Sequence, residues 1–299
     1  MELGLARGLD VDVFAPGLSF FFNAHIDFFE EIAKYRAARR IWARWLKERY
    51  GATDPNAMKL RFHTQTAGVS LTAQQPTNNV TRTAIEALAA VLGGTQSLHT
   101  NALDEVLALP TEAAAKLALR TQQVIAYETG APDVADPLGG SYYMESLTDR
   151  MEERAKELFA EIERMGGGSI LEGVLVGIER GWFQQSIAES AFREQQRVEA
   201  GDLVKVGVTA FVDDHEDLVE TLVIDPQGER RQVESIRELR ADRHERAART
   251  ALDALVAAAG TDATLIEPLL TCARTLCTEG EIVGALTEVF GSYLETPRF

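Results

Sequence analysis

With 299 residues, 45% hydrophobic and 25% charged, the chain has the composition of an ordinary globular protein, which excludes a disordered or fibrous one. Its net charge of -16 excludes nonspecific nucleic-acid binding, since a phosphate backbone needs basic surface, and points to solubility or a basic partner. No apolar run approaches the ~20 residues of a membrane span, and residues 1–12 lack the basic start and apolar stretch of a signal peptide.

The chain begins almost on a strand: residues 13–22 (VFAPGLSFFF) read as a buried strand with a Pro-Gly break. Ile26, Phe29, Ile32, Ala33, Tyr35, Ala38, Ile41, Trp42 and Trp45 recur at helical spacing and predict a helix over 24–50, stopped by Gly51. A strand over 59–65, a polar loop, a helix over 79–92 stopped by Gly93-Gly94, and a strand over 96–100 follow. Helices are predicted over 111–128 and 147–165. This alternation is that of βαβ units around a parallel sheet. Gly166-Gly167-Gly168 is the hinge candidate. Beyond it come helices over 169–179 and 184–199, strand-like pieces over 203–212 and 219–224, and helices over 232–258, 264–276 and 280–290. Cys272 and Cys277, five apart, suit neither a CxxC motif nor a disulfide framework; free buried thiols and a cytoplasmic location are expected.

The chemistry concentrates on the second and third strands. Alternation puts Arg61, His63 and Gln65 on one face and Leu60 and Phe62 on the other; Ser97, His99 and Asn101 alternate with Gln96, Leu98 and Thr100. A parallel strand buried on both faces reads as continuous Val, Ile and Leu, and these do not. Such a polar face meets a ligand, a cavity or a buried polar network. In a (β/α) barrel the inward face is normally filled by branched apolar residues, so a polar one points to an axis occupied by substrate. The loops over 66–79 and 101–105 lie at the carboxyl ends of these strands, where ligands of parallel sheets sit; Asn79 and Asp104 are equally readable as helix caps. His25 and His63 lack a second ligand at metal spacing, so no metal site is expected. Asp213-Asp214-His215-Glu216-Asp217 reads as a solvated acidic loop, and Leu138-Gly139-Gly140-Ser141 as a helix entry or an anion-binding turn.

The string RFHTQTAGVSLTAQQPTNNVTRTAIEALAAVLGGTQSLHTNALDEVLALPTE (61–112) closely resembles the adenosylcobalamin-dependent acyl-CoA mutases, chiefly the methylmalonyl-CoA mutase family. FAPGLSFFF, EIAKYRAARRIWA, DPLGGSYYMESLT and GEIVGALTEVFGSY match the same family in the same order, so the resemblance spans essentially the whole chain. It implies a (β/α)8 barrel that threads the CoA pantetheine chain along its axis, with adenosylcobalamin over the carboxyl ends of the strands. A deoxyadenosyl radical takes a substrate hydrogen, and the thioester group migrates to the neighbouring carbon. Carried over by motif, His63 and Gln65 are the catalytic groups near the thioester. Ser19, Phe21, Arg61, Gln96 and Ser97 lie along the substrate, and Val69, Asn101, Glu105 and Leu109 on the cobalamin and deoxyadenosyl face.

The expected fold is therefore α/β: the C-terminal part of a TIM (β/α)8 barrel, about three βα units within residues 1–130, then a mostly helical C-terminal region with a short β element over 131–299. The resemblance covers only the last three barrel strands and the C-terminal region. The family's Tyr-His element and its substrate-choosing residues have no counterpart here. No Asp-x-His-x-x-Gly cobalt-ligand motif occurs; the nearest string, residues 213–218, lacks the glycine. A separate cobalamin-binding subunit and a polypeptide supplying the N-terminal barrel strands are thus expected, because three strands of eight leave open edges. Gly17 stands where the family usually has Arg and Asn56 where Lys is common, which would weaken contacts to CoA. The reading is radical isomerisation of an acyl-CoA, methylmalonyl-CoA to succinyl-CoA first, by a chain inactive in isolation. Isobutyryl-CoA or 2-hydroxyisobutyryl-CoA mutation, or a noncatalytic CoA-binding or assembly remnant, are the alternatives.

Overall fold

In a computed structural model, which describes residues 1–214 and 219–294, the chain starts on helices rather than on a strand. Helices α1 (Glu2–Ala6) and α2 (Val11–Phe14) lead into a 3-10 turn at Ala15–Gly17, so the strand expected over 13–22 begins only at Phe20. Two local causes decide this. The Asp10 carboxylate accepts the Asp12 N–H at 2.9 Å and caps α2. Pro16 has no N–H to give to a ladder.

Three strands form one parallel sheet in the order β1 (Phe20–Ala24), β2 (Phe62–Thr66), β3 (Ser97–His99). Helix α3 (Phe28–Glu48) links β1 to β2, α4 (Asn79–Leu92) links β2 to β3, and α5 (Glu112–Glu128) follows β3. The architecture is mixed α/β. One face of the sheet is apolar and covered: Phe20, Phe22, Phe62 and Leu98 pack with Tyr35, Ala38, Trp42 and Ala90. The Tyr35 ring stacks on Phe62 at 5.2 Å, and Phe20 meets Trp42 edge-on at 4.9 Å. Small residues on α4 (Ala87, Ala89, Ala90), all buried, let it approach closely.

Helix α6 (Tyr142–Met165) is held on α3 by a seam of ion pairs. Arg36 pairs with Asp136 and Glu145, and Arg40 with Asp149 and Glu152. The buried Glu152 carboxylate also takes Arg44 and Lys156. The 138–141 turn is no anion site, because its Gly140 amide already donates to the Glu145 carboxylate at 2.8 Å. The triple glycine makes a tight turn that lays α7 (Ile170–Arg180) against α6: a Cβ on Gly173 would lie 1.9 Å from the Ile162 carbonyl oxygen. Helix α8 (Trp182–Glu199) follows. The strands expected over 203–212 and 219–224 are absent. Gly207 at φ +79° turns the chain, leaving one isolated bridge between Val206 and Ala210.

The chain divides into two units, Met1–Leu222 and Val223–Phe299. The second consists of α9 (Pro226–Asp242), α10 (Glu245–Ala259), α11 (Ile266–Arg274) and α12 (Glu279–Phe290) around Ala251, Leu255 and Cys272. The single helix expected over 232–258 is two, because His244 accepts the Ala247 N–H through Nδ1 and starts α10 afresh. Both cysteines are free: Cys272 is buried, Cys277 half-buried. No described helix is long and apolar enough to cross a membrane.

Candidate active site

The uncovered face of the sheet carries the polar residues. Parallel register sets Phe21, His63 and Ser97 side by side, and Asn23, Gln65 and His99 in the next row. Strand alternation then puts all six on the face opposite the aromatic core. His63 and Gln65 are half-buried; Phe21, Ser97 and His99 are exposed. His63 Nδ1 and Ser97 Oγ lie 2.7 Å apart, and the Phe21 ring centroid sits 5.2 Å from the imidazole. With Nδ1 engaged by Ser97, Nε2 is the ring nitrogen left for a ligand. Gln65 Nε2 donates to Asn101 Oδ1 at 3.1 Å.

Asn101 is the hinge between strand and loop. It is buried, and its N–H donates to Thr66 Oγ1 at 2.9 Å. Its Nδ2, also buried, meets no acceptor among the described residues. A buried donor left unpaired costs about 1–3 kcal/mol, so it marks a place where a ligand oxygen would be welcome. Beside it, Gly68 leaves no room for a side chain: a Cβ would lie 2.6 Å from Glu105 Oε1 and 3.2 Å from Asn101 Nδ2. Burial raises the Glu105 carboxyl above the usual range; nearby His99 opposes this and Asp104 adds to it. Val69 is 75% exposed and Leu109 60% exposed, so this end of the sheet presents apolar side chains beside polar ones.

Asn79, readable as a cap, does something else. Its Oδ1 accepts the Thr72 N–H, and its Nδ2 donates to the carbonyls of Thr72 and Leu103. It staples the two carboxyl-end loops together. Asp104 is structural on one side, accepting the Thr111 N–H at 2.9 Å.

The remaining expected residues separate from this cluster. Gln96 points away from Ser97, its Oε1 accepting the Phe62 N–H at 2.7 Å and its Nε2 donating to Gly94. Arg61 lies at the amino end of β2, donating to the carbonyls of Pro16 and Asn56. Ser19, Gly17 and Asn56 are exposed at that same end, and nothing lies within 4 Å of a Cβ placed on Gly17. Nothing in the sequence points to Asn23 or Gly68 in particular; the first stands out only through the β1–β2 register, the second only through the approach of Glu105. Among the described residues no group of three or more His, Cys, Asp or Glu side chains is placed to hold a metal ion. Of the acidic string 213–218, residues 215–218 lie outside the described residues.

The methylmalonyl-CoA mutase family model matches residues 1–292. The chain is 47% identical over 294 residues to the 2-hydroxyisobutanoyl-CoA mutase large subunit of Aquincola tertiaricarbonis, covering 98% of this chain and 51% of that one. It is 46% identical over 294 residues to the methylmalonyl-CoA mutase of Cereibacter sphaeroides, covering 98% and 40%. With the mitochondrial methylmalonyl-CoA mutase of Homo sapiens the identity is 45% over 297 residues, covering 99% and 39%. The chain thus spans about half or less of the length of these relatives. On this match over nearly all its residues, the chain belongs to the methylmalonyl-CoA mutase family.

Proposed function

We propose that this chain forms the C-terminal part of the barrel of an acyl-CoA mutase and its following helical region, and that it takes part in radical carbon-skeleton isomerisation of an acyl-CoA. The observation that carries this reading is the polar, uncovered sheet face of a family member: His63 paired with Ser97, Gln65 paired with Asn101, and an unsatisfied Asn101 amide beyond them. Residues 1–130 carry the site, and α6 packs on α3 behind it.

The residues at the carboxyl end fit adenosylcobalamin. Asn101 offers a buried donor without an acceptor, Glu105 offers an acceptor, and Val69 and Leu109 present exposed apolar surface for a large flat ring. When bound, this coenzyme supplies the radical chemistry of the rearrangement. The chain's own part is positioning. Asn101 and Glu105 hold polar groups of the coenzyme. His63, oriented by Ser97, gives Nε2 to the thioester oxygen, and Gln65, oriented by Asn101, gives its carbonyl to an amide or hydroxyl donor. Phe21 packs the acyl chain against the imidazole. At the amino end, Arg61 with Ser19 meets the more distant part of the CoA, and Ser97 the pantetheine; Gln96 acts there by holding the β2 backbone.

Two further polypeptide parts complete the enzyme in this reading. A cobalamin-binding subunit supplies the cobalt ligand. A polypeptide bearing the N-terminal barrel strands pairs with β1, which among the described residues bonds to β2 on one side only. An open apolar cavity of about 570 Å³ beside that strand, lined by Phe20, Phe22, Ile41, Trp42, Trp45 and Phe159, receives the helices of those units.

Methylmalonyl-CoA is the first substrate to test. 2-Hydroxyisobutyryl-CoA is the second, on the strength of the 47% identity to a large subunit that is itself shorter than the other relatives. The chain is mixed with the barrel polypeptide, the cobalamin-binding subunit and adenosylcobalamin, and product is followed by mass spectrometry. Turnover of one substrate only in the complete mixture is expected. Full turnover by the isolated chain would overturn the split arrangement; none in the complete mixture, with either substrate, would favour a noncatalytic CoA-binding role.

A further inference from the structure

Glu86, on the inward face of α4, is 0% exposed, and among the described residues neither of its carboxyl oxygens has a hydrogen-bond partner. It lies behind the sheet, on the side away from the substrate face, where it and the buried Thr64 Oγ1 both act on Tyr35. A buried polar side chain without a partner is costly and calls for a reason. The reason lies in what stands above it. The Ala67 amide and the Ser70 hydroxyl lie close enough to act on the carboxyl, although outside hydrogen-bond geometry. These two residues bracket the turn that carries Gly68 and Val69. Gly68 in turn rests against Asn101 Nδ2 and Glu105 Oε1.

We propose that Glu86 is a positioning residue of the site: from behind the sheet it supports the 67–70 turn and so fixes how closely Gly68 approaches Asn101 and Glu105. It does so as the neutral acid. Burial pushes its carboxyl up to about 8, against the opposing pull of Ser70 and the Ala67 amide. The charged neighbours on the packed elements are Glu31 of α3, which pushes the same way, and Arg82 of α4, which opposes it. Glu31 is itself paired with Lys34, and the Tyr35 phenol beside it is held well above its ordinary range. Glu86 is therefore predominantly neutral at pH 7, and it ionises more readily once the turn opens to water.

Linkage fixes the sign. In the open turn the carboxyl returns toward its ordinary 4.5, whereas in the closed turn it titrates near 8. Opening therefore releases a proton between those values, grows by up to about tenfold per pH unit across that window, and levels off above it. Hydrogen–deuterium exchange on the full chain, corrected for the intrinsic pH dependence of amides, reads this directly. Protection of residues 67–71 should fall from pH 5 to 8 and then flatten. Residues 99–105 should follow, since the Asn101 N–H bonds to Thr66. Residues 33–46 of α3 should not. In Glu86→Gln, which keeps the shape and cannot ionise, the slope should vanish while protection at pH 8 exceeds that of the parent.

A pH-independent turn in the parent, a parallel loss in α3, or an unchanged slope in Glu86→Gln would each overturn the proposal. The parent series decides the matter even where the variant folds poorly. Only the naming of Asn101 and Glu105 as site residues rests on the mutase reading. The exchange needs neither coenzyme nor partner, so its failure is distinguishable from failure of that reading.

Discussion

Gly68 is where the site leaves no slack. A methyl there would press on the far end of the Glu105 side chain, which can swing away, and on the Asn101 amide, which is buried and cannot. Gly68→Ala should therefore fold, with a melting temperature within a few degrees of the parent, yet, on the proposed function, bind adenosylcobalamin in the proposed assembly about tenfold or more weakly, a loss of ~1.4 kcal/mol. Thermal melts beside a coenzyme titration check this; unchanged affinity would remove Glu105 and Asn101 from the coenzyme face. At this scale the sequence is readable where a side chain's face follows from period two, as for His63, Gln65, Ser97 and Asn101. It is unreadable where the role depends on what another segment brings near. Gln96 and Ser97 are neighbours in sequence and serve opposite faces. Asn79 looks like a cap and is a staple between two loops.

Elements follow their local signals when those signals are strong. Helix α4 begins and ends where Asn79 and Gly93-Gly94 predict. The failures have local causes too: an Asp cap and a proline displace the start of β1, and a histidine cap splits the Arg/Glu-rich helix. That split is fixed by Arg243, whose guanidinium is buried and takes both oxygens of Glu281. The Arg243 pair pulls the Glu281 carboxyl down to about 2, helped by Thr278. A lowered acid stabilises the fold at pH above its ordinary 4.5, and this contribution is lost as pH falls from there through about 2. Glu281→Gln should lose about 2 kcal/mol at pH 7, the worth of charge-assisted hydrogen bonds, and should show a shallower acid transition than the parent. Circular dichroism melts between pH 2 and 7 measure both; equal acid transitions would show the pair to be idle.

At the scale of the whole molecule the sheet is the telling part. Among the described residues, three parallel strands with one bare polar face and a β1 edge paired on one side do not make a closed structure. Trp42 and Trp45 line the apolar cavity beside β1, whereas Trp182 hydrogen-bonds Glu161 elsewhere. In the proposed assembly, binding of a polypeptide that completes the barrel should shift tryptophan emission to the blue, and Trp42→Phe should remove much of the shift. Gel filtration showing a complex with no spectral change would place the contact elsewhere.

The sequence by itself determined the family, the parallel βαβ order and the polar identity of the strand face, because motif strings, helical periodicity and alternation are local properties. Tertiary structure alone decided which of those polar groups meet. Register sets Phe21 and His63 in one row, a loop carries Glu105 onto Gly68, and α4 brings Glu86 beneath the turn. Each of these is a contact between segments whose distance apart in the chain carries no signal, so packing had to bring them together before the site could be seen.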